Sequence, residues 1–147
     1  MSDVVTVVDT YLEMWNEGDP VRRAELIEQA WTREGRYVDP LFEAEGHRAL
    51  HNMVEKVHEQ FPGHRFRRTS GVDAHHDQVR FAWELAAPDG GVTAAGIDVG
   101  AIEVDGRLRS IVGFKRLAGR PQDKRDLEEL ESFHGELPID EIPGLDT

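Results

Sequence analysis

The chain has 147 residues, no cysteine and a formal net charge of −12 at pH 7. This length favours one domain, and the lack of cysteine excludes disulfides and cysteine-based metal sites. The negative charge argues against nucleic acid as a partner, because the phosphates would be repelled. The sequence shows no signal-peptide pattern and no apolar run near the roughly 20 residues that span a bilayer. We therefore predict a soluble, cytoplasmic protein with no membrane partner.

Three amphipathic helices are predicted in the first half of the chain. The spacing of the apolar residues places them at residues 3–17, about 20–34 and 47–60. Asp19 and Pro20 supply a cap and a first-turn proline for the second helix, and Gly35 ends it. A short extended segment at residues 36–39 follows, because Pro40 disfavours helical geometry in the residue before it.

The second half of the chain predicts an antiparallel meander. Apolar and aromatic residues indicate strands at residues 64–73, 76–87, 91–104 and 107–117. Turn-forming residues at 88–91 and 105–106 join the last three strands as hairpins. The order of elements therefore predicts an α+β fold, with three N-terminal helices packed on one face of an antiparallel sheet.

The end of the chain differs from the rest in composition. Residues 120–147 contain nine acidic and three basic side chains, so they carry half of the net negative charge. We therefore predict a domain at residues 1–118 and an acidic C-terminal extension at residues 119–147, in which residues 123–133 could form a charged helix.

Asp98 is the charged residue of an otherwise small and apolar stretch, residues 91–102. Side chains alternate along a strand, so Asp98 shares a face with Gly96 and Gly100, which would leave a hollow beside the carboxyl group. A buried carboxylate must be neutralised, paired or directed into a cavity, because an isolated buried charge is too costly. The alternatives are an acid bonded to neighbouring backbone and an acid on a solvated face.

Several local strings resemble the nuclear transport factor 2-like superfamily, which includes ketosteroid isomerases and SnoaL-like polyketide cyclases. The strings lie at residues 11–19, 36–40, 45–50, 96–98 and 105–110. The resemblance implies a cone-shaped, cystatin-like roll, in which a curved antiparallel sheet and the helices enclose a pocket for a small apolar organic ligand. It also implies a homodimer formed through the outer face of the sheet.

The resemblance implies roles for three side chains. Asp39 matches the catalytic base of the isomerases, Tyr11 matches their hydrogen-bond-donating tyrosine, and Asp98 matches their second, protonated acid. The position of Asp98 also resembles that of the acid–base aspartate of the SnoaL-like cyclases. Together they imply a cofactor-independent enzyme that removes a proton next to a carbonyl group and stabilises the resulting enolate; ketosteroid isomerase is itself the standard case of such a protonated aspartic acid.

Further residues are candidates for the wall of the pocket: Trp15, His76, Phe81, Trp83 and Phe114. A hydratase or dehydratase that uses His76 with Asp39 is one alternative function, and a non-catalytic binding or interaction domain is another. His47 and His51 have a spacing that a metal could use, but a solvated helix face explains them better. We therefore expect neither a metal nor a cofactor.

Overall fold

The computed structural model describes residues 4–117. The helices are α1 (Val4–Asn16), α2 (Pro20–Ala30) and α3 (His47–Gln60). The strands are β1 (Trp31–Val38), β2 (Glu43–Glu45), β3 (Arg65–Arg68), β4 (Asp73–His75), β5 (Gln78–Ala86), β6 (Val92–Ile102) and β7 (Leu108–Leu117). Within this range no helix is long and apolar enough to cross a membrane. The acidic extension at 119–147, with its predicted helix, lies outside the described residues.

The second helix ends earlier than its apolar spacing predicts. Asp19 caps its start by accepting a hydrogen bond from the Arg22 amide, and the helix stops at Ala30. Trp31 then adopts extended geometry and pairs with Leu108 of β7. The prediction of helix as far as residue 34 is wrong, because pairing with the sheet overrides the local apolar periodicity. A buried tryptophan at position 31 fits that periodicity whether the segment is helical or extended.

The sheet is curved and mixed, in the order β2-β1-β7-β6-β5-β3, with β4 also paired to β5. The antiparallel meander of β5, β6 and β7 confirms the predicted hairpins. β1, however, pairs in parallel with β7, and the strand predicted at residues 64–73 is divided between β3 and β4. The three helices and the sheet confirm the α+β fold class.

The alternation of side chains along β6 and β7 separates an inner face from an outer one. Asp98 pairs with Gly113 on the inner face, whereas Ile97 pairs with Phe114 on the outer face. Ile97 and Val112 of the outer face are 39% and 41% exposed. The expectation that Phe114 lines the pocket is therefore wrong, because strand geometry turns its side chain away from the helices.

Candidate functional site

Asp39 and Asp98 lie on either side of Gly113. Asp98 of β6 pairs with Gly113 of β7, and Asp39 directly follows the residue of β1 that pairs with Val112. A Cβ atom on residue 113 would lie 3.0 Å from Asp98 Oδ1, 3.2 Å from Asp39 Cβ and 3.3 Å from the Tyr37 hydroxyl. The glycine thus leaves a small space onto which both acidic residues and a tyrosine converge.

The Asp98 carboxyl group is buried and accepts two hydrogen bonds. The Tyr11 hydroxyl donates to Oδ2 at 2.7 Å, and Trp83 Nε1 donates to Oδ1 at 3.0 Å. Burial raises the pKa of Asp98 to about 6, although the hydrogen bonds from Tyr11 and Trp83 act in the opposite direction. A pKa near this value brings the ionisation of Asp98 close to neutral pH, where both the protonated and the carboxylate form are accessible.

Tyr11 is a donor held inside the core. Burial, followed by the charge of Asp98, raises the pKa of its hydroxyl well above the ordinary tyrosine value, so the group keeps its proton. Its ring packs edge-on against Phe81 and Trp31, with centroids 5.9 and 5.8 Å away. Since the single hydroxyl proton is donated to Asp98, Tyr11 acts on a bound molecule through that carboxyl group in this arrangement.

The Asp39 carboxyl group has four donors. Its Oδ1 accepts from the backbone amides of Leu41 and Phe42 at 2.7 and 2.8 Å. Its Oδ2 accepts from the Tyr37 hydroxyl at 2.6 Å and lies 2.9 Å from Lys115 Nζ. A carboxylate has about four acceptor positions, so this group is saturated. Asp39 fixes the loop after β1 and the end of the Lys115 side chain. A base that accepts a substrate proton would instead keep an acceptor position free.

The sequence pattern did not single out Tyr37 and Lys115. Tyr37 precedes Asp39 by two residues on the same strand face, so alternation could have identified it. Lys115 lies two residues after Gly113 on β7 and therefore also faces inward. Nothing in the sequence around it, however, indicated a role in the site. Trp83 was expected as an apolar wall, and its indole N–H is in addition a donor to Asp98.

A cavity of about 60 Å³ adjoins these groups. Its apolar walls include Trp15, Phe42, Phe61 and Leu85. Its polar lining comes from Tyr11, Tyr37, Trp83, Thr93, Asp98 and Lys115. Because a water molecule occupies about 30 Å³ of liquid and pockets for drug-sized ligands exceed roughly 300 Å³, the cavity suits a small molecule or the reacting end of a larger one. Leu41, which also lines it, is 51% exposed, so the cavity lies close to the surface.

Besides Phe114, two more of the predicted lining residues lie elsewhere. Phe81 is buried behind the Tyr11 ring, in the core, and is not part of the cavity wall. His76 occupies the exposed turn between β4 and β5, where its φ is 54°. The expectation that His76 lines the pocket is wrong, because β4 ends before it and the turn faces solvent. The hydratase or dehydratase alternative loses the side chain on which it depended.

Other parts of the described chain offer no comparable chemistry. Residues 4–117 contain no group of three or more His, Asp or Glu side chains arranged to hold a metal ion. His47 Nε2 lies 2.9 Å from the Thr32 carbonyl, whereas His51 Nε2 lies 3.2 Å from the Pro20 carbonyl. A groove of about 740 Å³ between α2 and α3 is larger than the cavity, but its charged side chains are exposed, as Glu25 and Arg48 illustrate.

Comparisons with known proteins agree with this architecture. The SnoaL-like domain profile matches residues 8–111. A SnoaL-like family protein from Agrobacterium tumefaciens strain C58, provisionally assigned as an isomerase, is 43% identical, with a TM-score of 0.73 over 78% of this chain and 97% of its own. No curated protein matches the sequence.

Two more distant structures share the fold. A provisionally assigned SnoaL-like polyketide cyclase from Jannaschia sp. CCS1 is 17% identical, with a TM-score of 0.57 over 76% of this chain and 85% of its own. A nuclear transport factor 2-like protein of unknown function from Exiguobacterium sp. 255-15 is 20% identical, with a TM-score of 0.56 over 73% of this chain and 95% of its own. At these identities the likeness shows the fold alone.

Proposed function

Because the chain belongs to the SnoaL-like family, we propose that it is an enzyme that moves a proton next to a carbonyl group of a small molecule, with Asp98 as the proton-transfer residue. The observation that carries this proposal is the state of the Asp98 carboxyl group, which lines the cavity, is held by two donors and has a pKa raised by burial to about 6. An acid–base group is most effective when its pKa lies near the working pH.

Acceptor capacity distinguishes Asp98 from Asp39. Asp98 uses one acceptor position on each oxygen, for Tyr11 and Trp83, and retains one on each. Asp39 uses two positions on each oxygen. Although the resemblance implies Asp39 as the base, the geometry favours Asp98 for accepting a substrate proton, with Asp39 as a positioning residue.

The proposed reaction proceeds through an enolate. An α-carbon of the substrate faces Asp98, whose carboxylate takes the proton, while the electrons of the C–H bond form a carbon–carbon double bond and negative charge moves to the carbonyl oxygen. Asp98 then returns the proton to a different atom, or the enolate carbon attacks a second carbonyl group. Isomerisation and ring closure thus share this first step, and Asp98 carries the proton without a cofactor.

Tyr11 and Trp83 hold the carboxylate in one orientation. Their donors approach different oxygens, so rotation of the carboxyl group would break both hydrogen bonds. Fixing the base in a reactive geometry lowers the barrier because less reorganisation is needed when the proton moves. The apolar walls around Trp15 and Phe42 favour an apolar body on the substrate.

A non-catalytic binding domain is the second candidate function. The observation that favours it is that Asp98, Tyr11 and Trp83 satisfy one another without a bound molecule. In that case the carboxylate would only accept a hydrogen bond from a ligand hydroxyl or amide group.

Deuterium exchange separates the two candidates. Pentane-2,4-dione is small, and its central carbon has acidic protons whose loss in deuterated buffer proton NMR follows directly. We expect the wild-type protein to accelerate this exchange and Asp98→Asn to reduce the acceleration at least ~100-fold, as for loss of a general base. Asp73→Asn, which alters an exposed carboxyl group, serves as the matched control.

The same measurement tests the assignment of Asp98 over Asp39. Asp39→Asn should weaken exchange without abolishing it, because Asp98 remains. If Asp39→Asn abolishes exchange while Asp98→Asn does not, the roles are those of the isomerases. Equal exchange rates in wild type and Asp98→Asn would contradict the proposed proton transfer and favour the non-catalytic binding domain.

A further inference from the structure

Lys115 has donor capacity that no described contact uses. An ammonium group carries three N–H donors, and the contact with Asp39 Oδ2 at 2.9 Å occupies one of them. The two donors beside Asp98 differ in this respect, because the Tyr11 hydroxyl and the Trp83 indole each have one proton and donate it to Asp98. Lys115 is therefore the charged donor that remains available to a ligand oxygen next to Asp98.

The register of the sheet places Lys115 beside the proton-transfer residue. Asp98 pairs with Gly113, and Lys115 lies two residues further along β7 on the same face. Diagonal neighbours of this kind are about 7–8 Å apart between backbones, and Gly113 places no side chain between them. One small molecule can thus contact both the Asp98 carboxyl group and the Lys115 ammonium group.

The Lys115 side chain is held in place. It is only 16% exposed, it lines the cavity, and Nζ lies 5.7 Å from the centroid of the Phe42 ring, within range of a cation–π contact. Asp39 anchors Nζ and is itself anchored by the Tyr37 hydroxyl and by the loop amides. A cation fixed before a ligand binds requires little reorganisation to stabilise new negative charge.

Resting on the function proposed above, we propose that Lys115 is the oxyanion-binding residue and that the substrates are small carbonyl compounds that form a stable enolate, such as those with an acidic C–H between two carbonyl groups. When Asp98 takes the proton, it becomes neutral, and the negative charge appears on the substrate oxygen at Lys115. The net charge of the site is unchanged while the charge moves from the carboxylate toward the ammonium group. Asp39 is the positioning residue for this cation.

The strength of a carboxylate base limits the substrate class. A carboxylic acid is a far stronger acid than a simple ketone, so a carboxylate such as that of Asp98 removes a carbon-bound proton most readily from an activated carbon acid. An ammonium ion in an apolar, poorly hydrated site stabilises an enolate oxygen more strongly than the same contact in water. The two groups together therefore suit carbon acids that are stronger than simple ketones.

Equilibrium ionisation of bound pentane-2,4-dione tests this proposal independently of turnover. The enolate absorbs in the ultraviolet at longer wavelength than the neutral forms, so a pH titration with excess protein reports ionisation in the site. We expect the wild-type protein to shift this ionisation to lower pH, by at least a factor of ten in the ionisation constant. Lys115→Met should remove the shift, and Lys115→Arg should retain most of it.

Further variants separate a folding defect from a binding defect. Lys115→Met leaves the buried Asp39 carboxylate without its cation, which destabilises the fold. The double variant Lys115→Met with Asp39→Asn removes both charges and should fold while still failing to shift the ionisation. Intact mass measurement checks that no imine between the diketone and a lysine accounts for the absorbance.

Asp98→Asn distinguishes this proposal from the function on which it rests. This variant keeps Lys115, so it should still bind the enolate while losing exchange; if it exchanges as fast as wild type, the proposed function fails and the Lys115 site stands. An unchanged shift in Lys115→Met, or no shift in the wild-type protein, overturns the role of Lys115.

Discussion

Tyr11 on α1 donates a hydrogen bond of 2.7 Å to Asp98 on β6, 87 residues further along the chain. The bond joins the helical layer to the sheet through Asp98, a residue that is 2% exposed. Because a buried carboxylate is costly without partners, packing of α1 and ionisation of Asp98 depend on each other. The titration of Asp98 should therefore be visible both in neighbouring groups and in the stability of the fold.

The indole N–H of Trp83 should report the protonation of Asp98. It donates to Asp98 Oδ1 at 3.0 Å, so loss of the carboxylate charge weakens this bond and moves the proton resonance. We expect a midpoint near the pKa of about 6 in nitrogen–proton correlation spectra, and no such titration in Asp98→Asn. The Trp31 indole, which is buried without a hydrogen-bond partner, provides the internal control. A Trp83 resonance that stays constant between pH 4 and 8 would contradict the assigned ionisation.

The stability of the protein should carry a signature of the same group. Burial raises the folded-state pKa of Asp98 from 3.8 to about 6, so between these pH values the folded state binds more protons than the unfolded state. The contribution of Asp98 to stability therefore falls as pH rises through this range. The full effect is about 3 kcal/mol at 1.36 kcal/mol per pKa unit. In urea unfolding, the free energy of unfolding of Asp98→Asn should rise relative to that of wild type by up to this amount between pH 4 and 7. A constant difference would show that Asp98 ionises alike in both states.

Removal of either donor should raise the pKa of Asp98 further. The hydrogen bonds from Tyr11 and Trp83 both lower it, in opposition to burial. Tyr11→Phe should therefore move the Trp83 indole midpoint above that of wild type and destabilise the fold by about 1–3 kcal/mol, the cost of leaving a buried acceptor short of a partner. Tyr37→Phe is the matched control, because Tyr37 donates to Asp39. A larger shift in the control than in Tyr11→Phe would argue against the direct effect.

Gly113→Ala should damage the site more than an alanine elsewhere. Its Cβ atom would lie 3.0 Å from Asp98 Oδ1 and 3.2 Å from Asp39 Cβ, closer than ordinary contacts. We expect a loss of about 1–3 kcal/mol in the free energy of unfolding, as for other overpacked positions, together with loss of diketone exchange. Gly71→Ala serves as the control, since nothing lies within 4 Å of its Cβ position. Full exchange activity in Gly113→Ala would show that the space beside Asp98 is not used.

Sequence patterns identified the parts of the site that depend on local information. Asp98 was recognisable because it interrupts an apolar strand, and the hairpins of the meander followed from their turn residues. The environment of Asp39 was not recognisable, because it depends on the parallel pairing of β1 with β7, which brings Lys115 to its oxygen. No local pattern encodes a parallel partner more than 70 residues away, and for the same reason the strand character of Trp31 was missed.

We propose that the outer face of the sheet binds a second copy of the chain. Ile97 and Val112, 39% and 41% exposed, lie on this face beside the partly buried Phe114. Val112→Glu should convert a dimer into a monomer in sedimentation equilibrium, because a charge at the centre of an apolar interface is costly to bury. Val104→Glu is the matched control, since Val104 is fully exposed in the β6–β7 turn. A monomeric wild-type protein, or a dimer unaffected by Val112→Glu, would contradict the proposed interface and would leave the site to function within one chain.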